Sequence, residues 1–281
     1  FARYASANVP RYTSYPTVPF WNGPPSQAEW IADLSRSAAT GKATWSIYLH
    51  LPFCENQCAF CACNTIFTHD HSVEEPYLLT LTRELELYLE LVPALRQKPV
   101  RQLHIGGGTP TFFTAANLER LLAPFFRELA IDPSALDASI EVNPLNTTPD
   151  QLAVLRRFGF TRISLGVQDF EAAVQAEVRR IQPRALTEAL TAQARACGFE
   201  SVNFDLIYGL PGQSPESMRR TAAATLELRP DRIALYSLAL LPWLRPAHQR
   251  LSELAPRGAE KRRLYEICRS TLAGAGYVEI G

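Results

Sequence analysis

Four cysteines fall within ten residues, in Pro52-Phe53-Cys54-Glu55-Asn56-Gln57-Cys58-Ala59-Phe60-Cys61-Ala62-Cys63-Asn64. Thiols this close cannot easily cross-link distant parts of a chain, and in a cytoplasmic setting they read as metal ligands. A structural zinc site shows two separated ligand pairs, or a cysteine pair with distal histidines. His69 and His71 have no second cysteine pair with which to complete one. Iron–sulfur clusters, by contrast, are held by closely spaced thiolates. Cys54, Cys58 and Cys61, spaced Cys-x3-Cys-x2-Cys, can reach three irons of a cubane and leave the fourth without a protein ligand. An open coordination position marks a catalytic metal site rather than a structural one. Cys63 is expected to point away from the cluster and stay free. Cys197 and Cys268, in helical patterns, read as plain buried thiols.

The elements that must position this loop alternate. Ser46–Leu51, Gln102–Ile105, Ala138–Val142, Arg162–Val167, Val202–Tyr208 and Arg232–Leu238 are short apolar runs ending near Gly, Pro or Asn, and are expected to be strands. Between them, Tyr77, Leu78, Leu81, Leu85, Tyr88, Leu89 and Val92 recur at helical steps. Similar patterns cover Ala115–Leu129, Pro149–Phe158, Ala185–Cys197, Pro215–Leu228 and Glu260–Ala273. Six strand–helix units imply a parallel sheet with right-handed crossovers, either open and doubly wound or a full or partial barrel. Residues 1–44, rich in proline and aromatics with a helical piece near Ser26–Ser37, are expected to be an arm packed on a barrel over 45–281. Tyr277–Gly281 looks like the start of a further strand, so sequence is expected to continue beyond it.

Lys plus Arg and Asp plus Glu both number 28, which leaves no charge to attract nucleic acid or an anionic membrane. No apolar run reaches the roughly 18 residues that span a bilayer, and the first residues lack a signal-peptide layout. With no Met at position 1 the chain is expected to be a trimmed one, and a cytoplasmic location follows from the cysteine usage.

Cys-x3-Cys-x2-Cys after the first strand, with Phe60 just before the third cysteine, resembles the radical S-adenosylmethionine superfamily. The resemblance implies a [4Fe-4S] cluster whose open iron is chelated by the methionyl amino and carboxylate groups. An electron from the reduced cluster then splits the sulfonium to a 5′-deoxyadenosyl radical. It also implies an α/β fold, a partial parallel (β/α)6 barrel, with functional groups at the C-terminal ends of strands. Gly106-Gly107-Gly108-Thr109-Pro110 ends the second strand, Glu141 lies near the end of the third, Gln168-Asp169 follows the fourth, and Asp205 sits within the fifth. Glycines let backbone approach a ligand, and a carboxylate in an apolar strand is costly unless paired, so Glu141 and Asp205 are read as ligand-binding.

A closer resemblance, from Pro10 to Gly281, is to the oxygen-independent coproporphyrinogen III oxidases (dehydrogenases) of haem biosynthesis. Pro10–Thr17, Tyr48–Cys54, Leu103–Thr111, Ser139–Val142, Gly166–Phe170 and Asp205–Pro211 carry it. It implies cofactor contacts from Tyr48, Phe60, Ala62, Gly107, Gly108, Thr109, Glu141, Gln168, Arg180, Asp205 and Ala239, and two bound S-adenosylmethionine molecules between which Gln168, Arg180, Asp205 and Ala239 are expected to divide. That family commonly has Gly in place of Ala62, and a methyl there is expected to be tolerated. His50 and His104 read as hydrogen-bonded core histidines, with a role beside the cluster as the alternative for His50. Arg11, Tyr12 and Tyr15 of the arm are expected to hold a substrate carboxylate, shield the radical or simply pack. The implied reaction is oxidative decarboxylation of two propionates of coproporphyrinogen III. The implied partners are an electron donor such as flavodoxin or ferredoxin, and an unidentified electron acceptor. A haem-binding or haem-delivery relative, or an anaerobic haem-degrading methyltransferase, are the competing functions. The family's further C-terminal domain, expected to cover the site, lies beyond this sequence.

Overall fold

Each of the six apolar runs forms a strand: β1 Trp45–Leu51, β2 Pro99–Gly107, β3 Asp137–Val142, β4 Phe160–Gln168, β5 Ser201–Tyr208 and β6 Arg232–Ser237. The computed structural model describes residues 20, 21, 23–41, 44–243 and 245–280, so Arg11, Tyr12 and Tyr15 lie outside the described residues. The strands pair in chain order and all in parallel, with the two-residue piece Ala130–Ile131 added beside the start of β2. A sheet whose order never reverses, built with right-handed crossovers, has its helices on one face only. That excludes the doubly wound alternative and leaves a partial (β/α)6 barrel, a seven-stranded sheet whose ends do not meet.

The helices are α1 Gln27–Ala39, α2 Glu74–Leu91, α3 Ala115–Glu128, α4 Pro149–Arg157, α5 Ala172–Glu177, α6 Arg184–Ala196, α7 Pro215–Leu228, α8 Pro246–Leu254 and α9 Gly258–Gly274. Local chemistry starts several of them. Thr148 and Gln151 form a reciprocal capping box before α4, and Ser214 and Ser217 do the same before α7, each with Pro at the first helical position. The short helices α5 and α8 have too few apolar positions to show a period and were not anticipated. Tyr277–Ile280 is not a strand, because no described strand lies beside it, and Val278 and Ile280 are almost fully exposed. Cys268 is buried as expected, whereas Cys197 is only half-buried. Among the described residues no helix is long and apolar enough to cross a membrane.

The two faces of the sheet differ in chemistry. Leu49, Leu51, Leu103, Ile105, Ile140, Leu165, Val202 and Phe204 point outward into the helices and are buried. Alternate positions point into the barrel, among them Ser46, Tyr48, His50, Gln102, His104, Ser139, Glu141, Ser164, Asn203 and Asp205. Ser46, Tyr48 and Gln102 are exposed and the others half-buried, and several open onto a cavity of about 330 Å³ lined by Ser46, Tyr48, Gln102, His104, Asp137, Ser139 and Arg162. Neighbours on one strand should therefore respond differently to truncation. Leu165→Ala should cost about 2–5 kcal/mol of unfolding free energy and Ser164→Ala no more than about 1.5 kcal/mol, read from denaturant melts.

Candidate active site

The chain leaves β1 at Leu51 and turns into the cysteine loop. Phe53–Cys54 pairs with Ile66–Phe67, which closes the loop at its base. Cys54 is buried, and its Sγ lies 3.3 Å from Thr109 Oγ1. Burial pushes its thiol up, against the Thr109 hydrogen bond. Cys58 and Cys61 are half-buried and Cys63 is exposed. The expectation that Cys63 points away from Cys61 is not met, for a physical reason: residues two apart in extended backbone share a face. Donation from the Cys63 thiol, aided by its backbone N–H, pulls Cys61 down to about 6 despite burial. Cys63, the donor, is pushed up. Among the described residues, no three His, Cys, Asp or Glu side chains close on a single-ion site.

The glycine segment lies along the first limb of this loop. Gly108 N–H donates to Leu51 O at 2.8 Å and Thr109 N–H to Phe53 O at 2.9 Å. At Gly107 φ is +121°, and a Cβ at Gly108 would stand 2.5 Å from the Pro52 carbonyl oxygen, so neither position accepts a side chain. Glu141 Oε2 accepts from Gly107 N–H at 3.4 Å, and Oε1 lies 3.3 Å from His104 Nε2. His104 Nδ1 meets Ser139 Oγ at 2.7 Å, and its ring stacks on Tyr48. His50 bridges Tyr48 Oη at 3.0 Å to the Asn64 carbonyl at 2.9 Å, bracing the loop from inside the barrel. Both histidines thus face the interior and neither is buried, so the core reading does not hold.

From the other side of the barrel comes Arg180. Its Nη1 donates to Cys58 Sγ at 3.4 Å, and Nη2 donates to Gly166 O at 2.6 Å and Asn143 Oδ1 at 3.1 Å. Its Nε is buried without a partner. A Cβ on Gly166 would meet Arg180 Nη2 and Gln168 Nε2, each at 3.0 Å. Gln168 itself has φ of +68°, at a register shift between β4 and β5. A non-glycine residue held there costs about 1–3 kcal/mol and is a pointer to function. Asp205 Oδ2 accepts from Ser164 Oγ at 3.0 Å and Oδ1 from Asn203 Nδ2 at 2.9 Å. Burial, with Glu141 nearby, pushes its carboxyl up to about 6 against those two bonds. Asp169, next to Gln168, is turned outward into a buried network with Gln213 and Thr221.

Phe60 packs on Val174, Val178, Ile207, Leu210 and Leu238, joining the loop to the β5–β6 side. Ala62 and Ala239 are exposed at the same end, brought there by topology alone. Ser139, Ser164 and Asn203 were missed as site residues, although polar–apolar alternation through β3, Ile163–Val167 of β4 and Ser201–Leu206 of β5 announces them. Glu74 was missed too. It is fully buried and accepts from Asn117 Nδ2 at 2.7 Å and Thr114 N–H at 3.0 Å, while meeting His71 Nδ1 at 2.7 Å. His71 Nε2 reaches Glu55 at 3.3 Å, which anchors the loop beside Cys54.

The family model of the Radical SAM superfamily matches residues 48–224. This chain belongs to that superfamily. It is 40% identical over 276 residues to the oxygen-independent coproporphyrinogen III oxidase of Synechocystis sp., covering 97% of this chain and 58% of that protein. To the enzyme of the same name from Escherichia coli it is 37% identical over 273 residues, covering 97% and 58%. The solved coproporphyrinogen III oxidase from Escherichia coli superposes with a TM-score of 0.89 at 36% identity, over 96% of this chain and 61% of that one. The chain thus spans about three fifths of the length of the curated relatives it matches.

Membership of the Radical SAM superfamily implies a [4Fe-4S] cluster and S-adenosylmethionine, and the donor set fits them. Three thiols share one loop, one of them already acidic and another touched by a guanidinium. A cubane spreads its ligands over three irons, which suits thiols that do not close on one ion. Beside them the side-chain-free Gly107–Gly108 backbone leaves room for an amino acid. Cys54→Ala, Cys58→Ala or Cys61→Ala should each abolish the visible absorption of the reconstituted cluster, and Cys63→Ala should retain most of it. Asp205 sets a pH dependence. Its folded value of about 6 exceeds the ordinary 3.8, so its contribution to stability is lost as pH rises through that window. Denaturant melts from pH 4 to 7 should show this loss in the wild type, and Asp205→Asn should flatten it.

Proposed function

We propose that this chain is the cluster-bearing barrel of an oxygen-independent coproporphyrinogen III oxidase. It would convert two propionates of coproporphyrinogen III to the vinyl groups of protoporphyrinogen IX without oxygen. The observation that carries the reading is the match over 97–100% of the chain to proteins of that name, with the site residues other than Tyr48 at or near one end of the barrel. Neither competing function has an observation in its favour. The remaining length of such enzymes would cover the open inner face; most of the expected arm over residues 1–44 lies outside the described residues.

In this reading Cys54, Cys58 and Cys61 hold the cluster and Cys63 polarises Cys61 from outside. When bound, the cluster and S-adenosylmethionine supply the one-electron chemistry needed to take hydrogen from an unactivated carbon. The backbone of Gly107 and Gly108, with Thr109 and Glu141, would orient the amino acid end of the cofactor. Gln168, Arg180, Asp205 and Ala239, with Tyr48, Phe60 and Ala62, would complete the contacts to two cofactor molecules. Asp205, held largely protonated below about pH 6, would accept or donate to ribose hydroxyls. On the substrate, a hydrogen atom leaves the β-carbon of a propionate, and the carboxylate side chain then loses carbon dioxide and passes one electron to an external one-electron acceptor to become vinyl.

The test is anaerobic reconstitution followed by assay with reductant, S-adenosylmethionine and coproporphyrinogen III. Products lighter by one and then two units of HCOOH, with 5′-deoxyadenosine formed in step, are expected. If neither appears with the chain and its downstream sequence together, the reading fails. Arg180→Ala should lower turnover by about 100-fold or more, in line with loss of a charged positioning contact.

A further inference from the structure

The cysteine loop has an outer side that the chemistry above does not use. Asn56 and Gln57, between the first two cysteines, are exposed. Ala59 N–H donates to Val178 O at 2.9 Å, which joins the loop to the turn that follows α5. In that turn, residues alternate between inside and outside. Val178 is buried against Phe60, Arg179 is exposed, Arg180 reaches Cys58 Sγ, and Ile181 is 68% exposed. The reversal depends on Arg179, whose φ is +55°. The same turn therefore sets one arginine on Cys58 and the residue before it out in solvent.

Charge and apolar exposure coincide on this turn. Glu55 is engaged by His71, Glu177 by Arg250 and Arg184 by Glu227. Arg179 has no carboxylate within ion-pair distance among the described residues, and the exposed loop residues Asn56 and Gln57 carry no charge. Ile181 and the partly exposed Leu186 supply a small apolar centre. A patch of this size suits a transient contact rather than a stable one.

We propose that the Val178–Ile181 turn, together with Asn56 and Gln57, is the docking surface for a small acidic electron-transfer protein. This rests on the assignment of a cluster to Cys54, Cys58 and Cys61. One electron leaves the reduced flavin or iron–sulfur centre of the donor, which is oxidised by one unit, and enters the oxidised cluster. No bond or proton is exchanged. The positive tip steers the acidic partner, Ile181 seats it, and the Ala59–Val178 and Arg180–Cys58 contacts lead inward.

The test follows bleaching of the reconstituted cluster in stopped flow, with flavodoxin hydroquinone or with dithionite as reductant. Arg179→Glu and Ile181→Glu should each slow reduction by flavodoxin about tenfold or more and leave reduction by dithionite unchanged. Arg179→Asn, which suits left-handed backbone, should keep the turn and slow the flavodoxin reaction about threefold. The wild-type rate with flavodoxin should fall as salt rises, and Arg179→Glu should lose that dependence. Wild-type rates with flavodoxin in both glutamate variants would overturn the proposal. So would equal slowing with dithionite, or self-association of the wild type that Ile181→Glu abolishes while donor reduction persists. A wild-type chain that binds no cluster would instead defeat the assignment beneath the proposal, before any donor is added.

Discussion

A parallel sheet has two faces to cover, and in this chain the helices cover only one. Right-handed crossovers between strands laid down in order leave no choice about which face that is. The outer face takes the aliphatic side chains and supplies the folding energy. The inner face can then be polar without cost to the core, provided its groups satisfy one another. They do so in short chains: Tyr48 with His50, Glu141 with His104 and Ser139, Asp205 with Asn203 and Ser164, Arg162 with Asp137. The rim at the C-terminal ends of the strands inherits this polarity, and every proposed cofactor contact except Tyr48 lies at or near it.

Much of this was legible in the residues. Six apolar runs marked the strands, and the cysteine spacing marked the loop after the first. Alternation within β3, with Asp137, Ser139 and Glu141 against Ala138, Ile140 and Val142, spelled out the two faces as well. What was not legible depends on distant partners. Nothing local tells that Arg180 turns inward while Arg179 turns out, because the turn between them depends on a left-handed residue and on Cys58 far away in sequence. Glu74 looks like an ordinary acid in a first helical turn, and only the tertiary fold buries it against Asn117 and Thr114. The orientation of Cys63 was misjudged on local geometry alone.

Opposite charges meet in the barrel mouth without cancelling. Arg180 spends its donors on Gly166, Asn143 and Cys58, so it organises two strand ends and the loop rather than neutralising a carboxylate. Asp205, pushed up first by burial, consequently feels the Glu141 charge more than it feels the guanidinium, and it stays difficult to ionise. The mouth therefore offers acceptors on one side and a fixed cation beside the thiols on the other.

The order of the strands has a consequence for how the chain is made. Cys58 leaves the ribosome with the first unit, whereas Arg180 lies 122 residues later. At about 5–20 residues per second that interval is on the order of 6–25 s. For that time the thiols have their own loop and the His71–Glu74 anchor within early reach, but not the cation that will sit over them. Synthesis thus sets a window in which the most oxidisable part of the molecule exists before its cover, and the site is completed only as the later strands dock.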